Sequence, residues 1–363
     1  MRDGLDDARA LLPGVRLDHP HTLRSGDRAE VRRAHARRRD APDTTVIVKT
    51  FADSGESWAR EVAALSCIPD GAPSARLIAA GARPPIAVMT DAGDGPSVAQ
   101  ALLGDDPAAA TEAVLEWAAA IGTLHRATLG VRDAFRTALR ARSGELMLGE
   151  SRMSLMVDEA AAALDELCLR LDVRVPSGAL AELRALPRRL GGEVGALSPH
   201  DACPDNNTRT AQGLVLVDFE GAQWRHVAWD VAYLTVPWPS CWCSWRMPAD
   251  VVERAVERYR ATVEAELPYV RTARFRDDVT AAGVAWTFVS AARSLPSALG
   301  DAPPRDPQRP APSRRALILH RLRQARGCEQ LPALAGLAAA LRADLVARWG
   351  DVPLGLAPAF AAS

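Results

Sequence analysis

The chain has 363 residues, 48% hydrophobic and 25% charged, with a formal net charge of −1. That length allows two lobes around a sizeable core, and the near-neutral charge speaks against a partner recognised by polyanion attraction. No stretch approaches the ~18 uninterrupted apolar residues of a membrane span, residues 1–10 lack a signal-peptide pattern, and six cysteines are too few for a disulfide scaffold, so a reducing, cytoplasmic setting is expected.

Residues 1–20 read as an irregular or short helical lead-in. His21 to Arg24 and Ala29 to Ala36 read as two strands around a turn at Ser25-Gly26-Asp27. The basic run Arg32, Arg33, Arg37, Arg38 and Arg39 has no interleaved aromatics. It reads as a solvated hairpin edge rather than a nucleic-acid contact. After a turn at Asp40 to Asp43, the β-branched stretch Thr44 to Phe51 predicts a strand with Lys49 near its end. Lys49 is the single lysine among 44 Lys and Arg residues. Such a retained lysine marks a site that needs a compact ammonium rather than a planar guanidinium, or it is a chance survivor.

Glu56 to Ile68 sets Trp58, Val62, Leu65 and Ile68 at helical spacing. Glu61 lies mid-helix beside that stripe, with Glu56 as the competing acid. Arg76 to Gly81 and Pro85 to Thr90 read as short strands punctuated by prolines. Asp91 to Ser97 is the first glycine- and acid-rich break, so the boundary between a lobe of residues 1–91 and a helical lobe of residues 92–363 is expected there.

From Val98 onward the pattern is helical. Thr111 to Ala127 carries Trp117, Ile121, Leu124 and His125 at helical spacing, and His125 reads as a satisfied structural histidine. Asp133 to Leu190 predicts two or three more helices. The acids Asp158, Glu159, Asp165 and Glu166 there are either a solvated face or a wall for a cationic ligand. Val236 to Arg246 holds Trp238, Trp242 and Trp245, which read equally as interhelix packing or as an aromatic wall for a substrate. Cys241 and Cys243 with distant Cys203 lack the paired spacing of zinc sites and read as buried free thiols. Pro248 to Leu267 and Arg274 to Leu295 predict long helices, the second ended by Pro296. A proline-rich exposed loop, Gly300 to Ser313, precedes two more helices, Arg314 to Arg326 and Leu331 to Trp349, and a loose tail.

The chemistry concentrates in Ser198 to Ala222, SPHDACPDNNTRTAQGLVLVDFEGA. Asp201 stands five residues before Asn206, and Asp218 closes the apolar run Leu214 to Val217. A carboxylate of this kind accepts the proton of an attacking hydroxyl, while an amide oxygen and a second carboxylate hold Mg²⁺ against phosphates. The layout resembles the aminoglycoside phosphotransferase family, small-molecule kinases with the protein-kinase-like fold. That family usually writes His-Gly-Asp where this chain has Pro199-His200-Asp201, and Asp218-Phe219-Glu220 stands where protein kinases have Asp-Phe-Gly.

The resemblance implies an α+β, two-lobed fold, with a small antiparallel-sheet lobe holding one key helix and a large, mostly helical lobe. It implies Mg²⁺ and ATP or another nucleoside triphosphate as co-substrate, with Asp201 as catalytic base and Asn206 and Asp218 as metal ligands. Lys49 paired with Glu61 would hold the nucleotide phosphates, Ser25 and Gly26 would cover them, and Met89, Thr90 and Asp91 would meet the adenine edge. Asp230 would brace the catalytic loop. The expected activity is transfer of the γ-phosphate to a hydroxyl of a small molecule, an aminoglycoside-like antibiotic or another hydroxylated metabolite. No nucleic acid, membrane or obligate protein partner is expected. The alternative is a nucleotide-binding pseudokinase, which the single glycine of the turn and the Pro199-His200 departure favour. A triad of Ser198, His200 and Asp201 is set aside, because triad members are seldom sequence neighbours and there is no G-x-S-x-G elbow.

Overall fold

The computed structural model describes residues 4–39, 41–53, 55–300 and 310–361. Most of the expected proline-rich loop, residues 301–309, lies outside the described residues, as does residue 40 of the expected turn.

A short helix α1 (Gly4–Ala10) leads into strands β1 (Val15–Ser25), β2 (Ala29–Arg38) and β3 (Ala41–Phe51), helix α2 (Glu56–Leu65), and strands β4 (Leu77–Ala82) and β5 (Pro85–Thr90). The five strands form one antiparallel sheet in the order β1-β2-β3-β5-β4. Side chains alternate across a strand, and β3 uses both faces. Val46 and Val48 enter a small core with Leu5, Leu17 and Val88, whereas Ile47 and Lys49 face a cleft. Strand β1 starts at Val15, earlier than expected, because Leu17 pairs with Ala36 and is buried in that small core. Its other positions are largely exposed, so an edge strand carried almost no alternation signal. Likewise β3 begins at Ala41, which pairs with Arg38 across the hairpin. Beneath the sheet α2 buries Trp58, Val62 and Leu65, and the Trp58 indole donates to the Ile86 carbonyl at 3.2 Å.

The second lobe opens with α3 (Val98–Leu102), started by a capping box between Ser97 and Gln100. Helices α4 (Pro107–Thr128), α5 (Arg132–Ser143), α6 (Met153–Leu171) and α7 (Ala179–Arg189) follow. Two small antiparallel ribbons then flank the stretch that holds Asp201, Asn206 and Asp218. One pairs β6 (Gly195–Ser198) with β9 (Gln223–His226), and the other pairs β7 (Asn207–Thr210) with β8 (Gly213–Leu216). The chain closes with α8 (Ala228–Thr235), α9 (Ala249–Val263), α10 (Ala273–Leu299), α11 (Arg314–Ala325), α12 (Pro332–Trp349) and α13 (Pro358–Ala361). Helix α10 runs through Pro296, which was expected to stop it. So close to the C-terminal end, a missing proline N–H leaves one nearby carbonyl without its helical partner and does not break the last turn. Trp286 on α10 meets Trp229 and Tyr233 of α8 edge-on, with ring centroids 5.7 and 5.3 Å apart, which locks α8 beneath the ribbons. The fold is α+β and two-lobed, a five-stranded sheet followed by a mostly helical body. Among the described residues no helix is long and apolar enough to cross a membrane.

Candidate active site

A cavity of about 570 Å³ opens between the sheet and the β7–β8 ribbon. Lys49 reaches it from the centre of the sheet, where β3 is paired on both sides, with Val31 and Ala87 opposite the lysine. The Lys49 Nζ lies 2.6 Å from Glu61 Oε2, 2.6 Å from Asp218 Oδ1 and 3.2 Å from Glu220 Oε2. Burial opposes the ammonium charge, but the three carboxylates outweigh it and hold the Lys49 pKa above its ordinary value. Glu61 is pushed up, by burial first and by the neighbouring carboxylates, against the pull of Lys49. Asp218 stays below its ordinary value because Lys49 overcomes its burial. Glu56, the competing acid, turns away to Arg60 at 2.6 Å and Arg152 at 3.4 Å.

Five consecutive carbonyls of the loop after β6 are all held, so the loop has little freedom to drift. His200 O accepts from Tyr233 Oη at 2.9 Å and Arg225 Nη2 at 3.0 Å. Asp201 O accepts from Asn206 Nδ2 at 2.9 Å, and Ala202 O from the Trp117 indole at 3.0 Å. Cys203 O accepts from the Asn206 amide at 2.9 Å, and Pro204 O from the Ala99 amide at 2.8 Å. Because its nitrogen is engaged, the Asn206 side chain keeps its oxygen for a ligand, and both Asn206 and Asp218 line the cavity.

His200 has φ +74°, a left-handed backbone that glycine adopts most readily. Its ring fits because Gly221 opposite carries no side chain; a Cβ there would meet the ring at 3.0 Å. Nδ1 of His200 lies 2.8 Å from Gln223 Nε2 and 3.1 Å from Arg225 Nη1. Burial, then the Arg225 charge, lowers its pKa well below the usual value, so the ring is neutral and accepts. Asp218 has φ +65°, a second left-handed residue at the site.

Beneath the loop lies Asp230, fully buried on α8. It accepts from Arg225 at 2.5 Å, from Ser198 Oγ at 2.9 Å and from His125 Nε2 at 3.1 Å. Ser198 Oγ in turn accepts from the His200 amide at 2.9 Å, so the carboxylate reaches the loop through one hydroxyl. Burial would raise the Asp230 pKa, but Arg225 and His125 hold it far below the usual range. His125 also meets Tyr259 Oη at 2.9 Å and is satisfied on both ring nitrogens.

Asp201 does not line the cavity itself. Its Oδ1 accepts from Ser240 Oγ at 2.5 Å. Burial, with Asp205 and Asp218 nearby, raises its pKa, and the Ser240 hydrogen bond works the other way.

The three tryptophans separate. Trp238 is fully buried and packs edge-on against Trp117 at 5.9 Å, so it belongs to the helical core and not to a substrate wall. Trp245 leans on the connection before α11, its indole donating to Pro310 O at 3.4 Å. Trp242 adjoins the loop, donating to Asp205 Oδ2 at 2.6 Å. The expectation of free thiols is corrected as well. Cys203 and Cys241 form a disulfide, because the Val236–Arg246 stretch folds back over the loop and brings their Cα atoms to 5.6 Å. Sequence spacing carried no sign of this, since the pair is 38 residues apart. Cys243 remains outside that bond.

Gly26, Met89, Thr90 and Asp91 line the cavity, whereas Ser25 is the exposed end of β1 and does not. Arg33, read as part of a solvated edge, also lines it, and it pairs with Asp91 at 2.6 Å and with Asp94 across the β5–α3 connection. Glu220 of the Asp-Phe-Glu motif lines it too, as do Arg24 and Arg28, for which nothing in the sequence marks one arginine among so many. Asn207 is buried and ties the loop to α3 by accepting from the Val98 amide at 3.0 Å. The four acids on α6 are exposed, with Asp158 3.7 Å from Arg184, as on a solvated face.

No protein-family model matches the chain, and no curated protein matches its sequence. Solved structures do match its fold. An ethanolamine kinase of Plasmodium vivax is 11% identical, with 78% of this chain and 77% of that one covered and a TM-score of 0.53. A choline kinase of Cryptosporidium parvum Iowa II is 12% identical over 94% of this chain and 98% of its own, with a TM-score of 0.51. The ternary complex of streptomycin, ATP and APH(2″)-IIa is 11% identical over 83% and 95%, with a TM-score of 0.50. At such identities the likeness is one of fold: the chain has the two-lobed, protein-kinase-like fold that these small-molecule kinases share.

Proposed function

We propose that this protein is an ATP-dependent phosphotransferase acting on a hydroxyl of a small molecule, with residues 1–91 as nucleotide lobe and residues 92–363 as the lobe carrying loop and acceptor. One observation carries the reading: Lys49 meets Glu61 and Asp218 within 2.6 Å at the wall of a cavity that Asn206 and Met89 also line. Residues from both lobes thus converge in the order a phosphoryl-transfer site requires.

In this reading Glu61 orients Lys49, and the ammonium binds the nucleotide phosphates. Met89, Thr90 and Asp91 meet the base, and the turn at Gly26 covers the phosphates. The amide oxygen of Asn206 and the carboxylate of Asp218 are hard oxygen donors suited to Mg²⁺, which when bound would neutralise phosphate charge. Asp201 orients the acceptor hydroxyl and accepts its proton, with Ser240 supporting the ionised carboxylate. Asp230 braces the loop through Ser198 and Arg225. Catalysis then rests mainly on positioning and charge stabilisation.

ADP release, measured with Mg-ATP against a panel of hydroxylated metabolites and antibiotics, tests the reading. An acceptor should raise turnover well above background, and Asp201→Asn should abolish that rise while ATP affinity stays within about threefold. A second reading, a nucleotide-binding module that transfers nothing, is favoured by Asp201 lying off the cavity lining. Tight Mg-ATP binding with no turnover on any acceptor would select it.

A further inference from the structure

The Val236–Arg246 stretch contributes more than packing. Its residues 240, 241 and 242 each hold one residue of the loop after β6. Ser240 donates to Asp201 at 2.5 Å, Cys241 is bonded to Cys203, and Trp242 donates to Asp205 at 2.6 Å. The alternating register, 240 to 201, 241 to 203 and 242 to 205, makes this segment a strap across the stretch that holds Asp201 and Asn206. Beside the bond, Cys243 Sγ lies 3.1 Å from Cys241 Sγ, and the three sulfurs are all within 4.8 Å of one another.

We propose that Cys203, Cys241 and Cys243 form a thiol–disulfide site that sets the order of this loop, with Cys243 as the internal exchange partner. The exchange is balanced without an outside oxidant. Cys243 gives up its proton and its sulfur attacks Cys241. The Cys203–Cys241 bond breaks as a Cys241–Cys243 bond forms, and Cys203 leaves as thiolate and takes up a proton. Cys203 and Cys241 are both buried, which hinders bulky external thiols, whereas Cys243 is already in place. Exchange, or reduction by a small dithiol, releases the middle of the three ties. The loop then keeps the Ser240 and Trp242 hydrogen bonds on this side. The effect on turnover rests on the phosphotransferase reading; the linkage and the loop order do not.

The test uses the full chain, purified in air or treated with dithiothreitol, blocked with N-ethylmaleimide and mapped by mass spectrometry. The oxidised protein should show Cys203–Cys241 with Cys241–Cys243 as a second linkage, and Cys243→Ser should remove the second and keep the first. Hydrogen exchange of the amides in residues 202–206 should rise roughly tenfold on reduction while β3 and α2 stay unchanged. The Cys203→Ala/Cys241→Ala variant should exchange fast in both conditions. Because wild-type protein is compared with itself, a misfolded variant does not decide the outcome. Alkylation of both Cys203 and Cys241 in the air-purified chain would overturn the proposal. So would one tightly held zinc per chain that shields all three thiols, or equal exchange of residues 202–206 in the two states. If neither state binds Mg-ATP, the phosphotransferase reading fails, and the linkage map and the exchange rates still decide the site.

Discussion

Asp201 carries two opposing demands. Burial and the neighbouring Asp205 and Asp218 carboxylates favour its protonated form, while Ser240 favours the ionised one. If the ionised carboxylate accepts the hydroxyl proton, turnover rises with pH as Asp201 ionises, above the usual carboxylate range. Removing the Ser240 donor removes a force that lowers this pKa, so the acid limb must move to higher pH. Ser240→Ala should shift the acid limb of the kcat profile upward; an unmoved limb would show that the contact does not support the ionised form. Lys49 gives a second prediction at this scale. Its ammonium is surrounded by three carboxylate oxygens at 2.6 to 3.2 Å, a packing that suits a point charge and not a planar fork. Lys49→Arg should lose most turnover despite keeping the charge. As the single lysine, Lys49 should also be the side chain labelled by an amine-reactive acyl phosphate of ATP, with excess Mg-ATP protecting it. Labelling that ATP leaves unchanged would remove Lys49 from the nucleotide site.

At the scale of elements, helix α8 serves as the support of the loop through Asp230 and Tyr233. The Asp230 carboxylate is buried with Arg225 and His125, so breaking this group leaves buried charge without its partner. Asp230→Asn should lower the unfolding free energy by about 3–5 kcal/mol at neutral pH, measured by urea denaturation. The folded-state pKa of Asp230 is depressed, so its contribution is present above its unfolded pKa of about 4 and is lost as pH falls toward the folded value. The wild type should therefore lose stability on acidification below about pH 4 more steeply than the variant does. Equal slopes would mean that other carboxylates carry the acid sensitivity.

For the whole molecule, the cavity is walled by both lobes, with Lys49 and Met89 on one side and Asn206 and Asp218 on the other. A nucleotide that binds there stabilises only the folded chain. At a hundredfold excess over its Kd the gain is about 2.7 kcal/mol, which in a chain of this size is a rise of a few degrees in Tm. Mg-ATP should raise Tm more than ATP with a chelator, and Asp218→Ala should erase that difference while keeping part of the magnesium-free shift. Identical shifts with and without magnesium in the wild type would remove Asp218 from the metal site.

Strand alternation and helical spacing are properties of neighbouring residues, so individual strands and helices were legible along the chain, and the motif intervals carried the resemblance that implied the two-lobed fold and singled out Lys49, Glu61, Asn206 and Asp218. The structure brings these four to one cavity. Contacts between distant segments left no such trace. Arg33 looked like any other surface arginine until the sheet placed it on Asp91. Trp238 and Trp242 share one short stretch, yet one is core and the other touches Asp205, since the direction of each ring depends on what the backbone folds against. The Cys203–Cys241 bond and the Ser240 contact to Asp201 depend on a segment some 40 residues away folding back over the loop, and only tertiary packing fixes that approach.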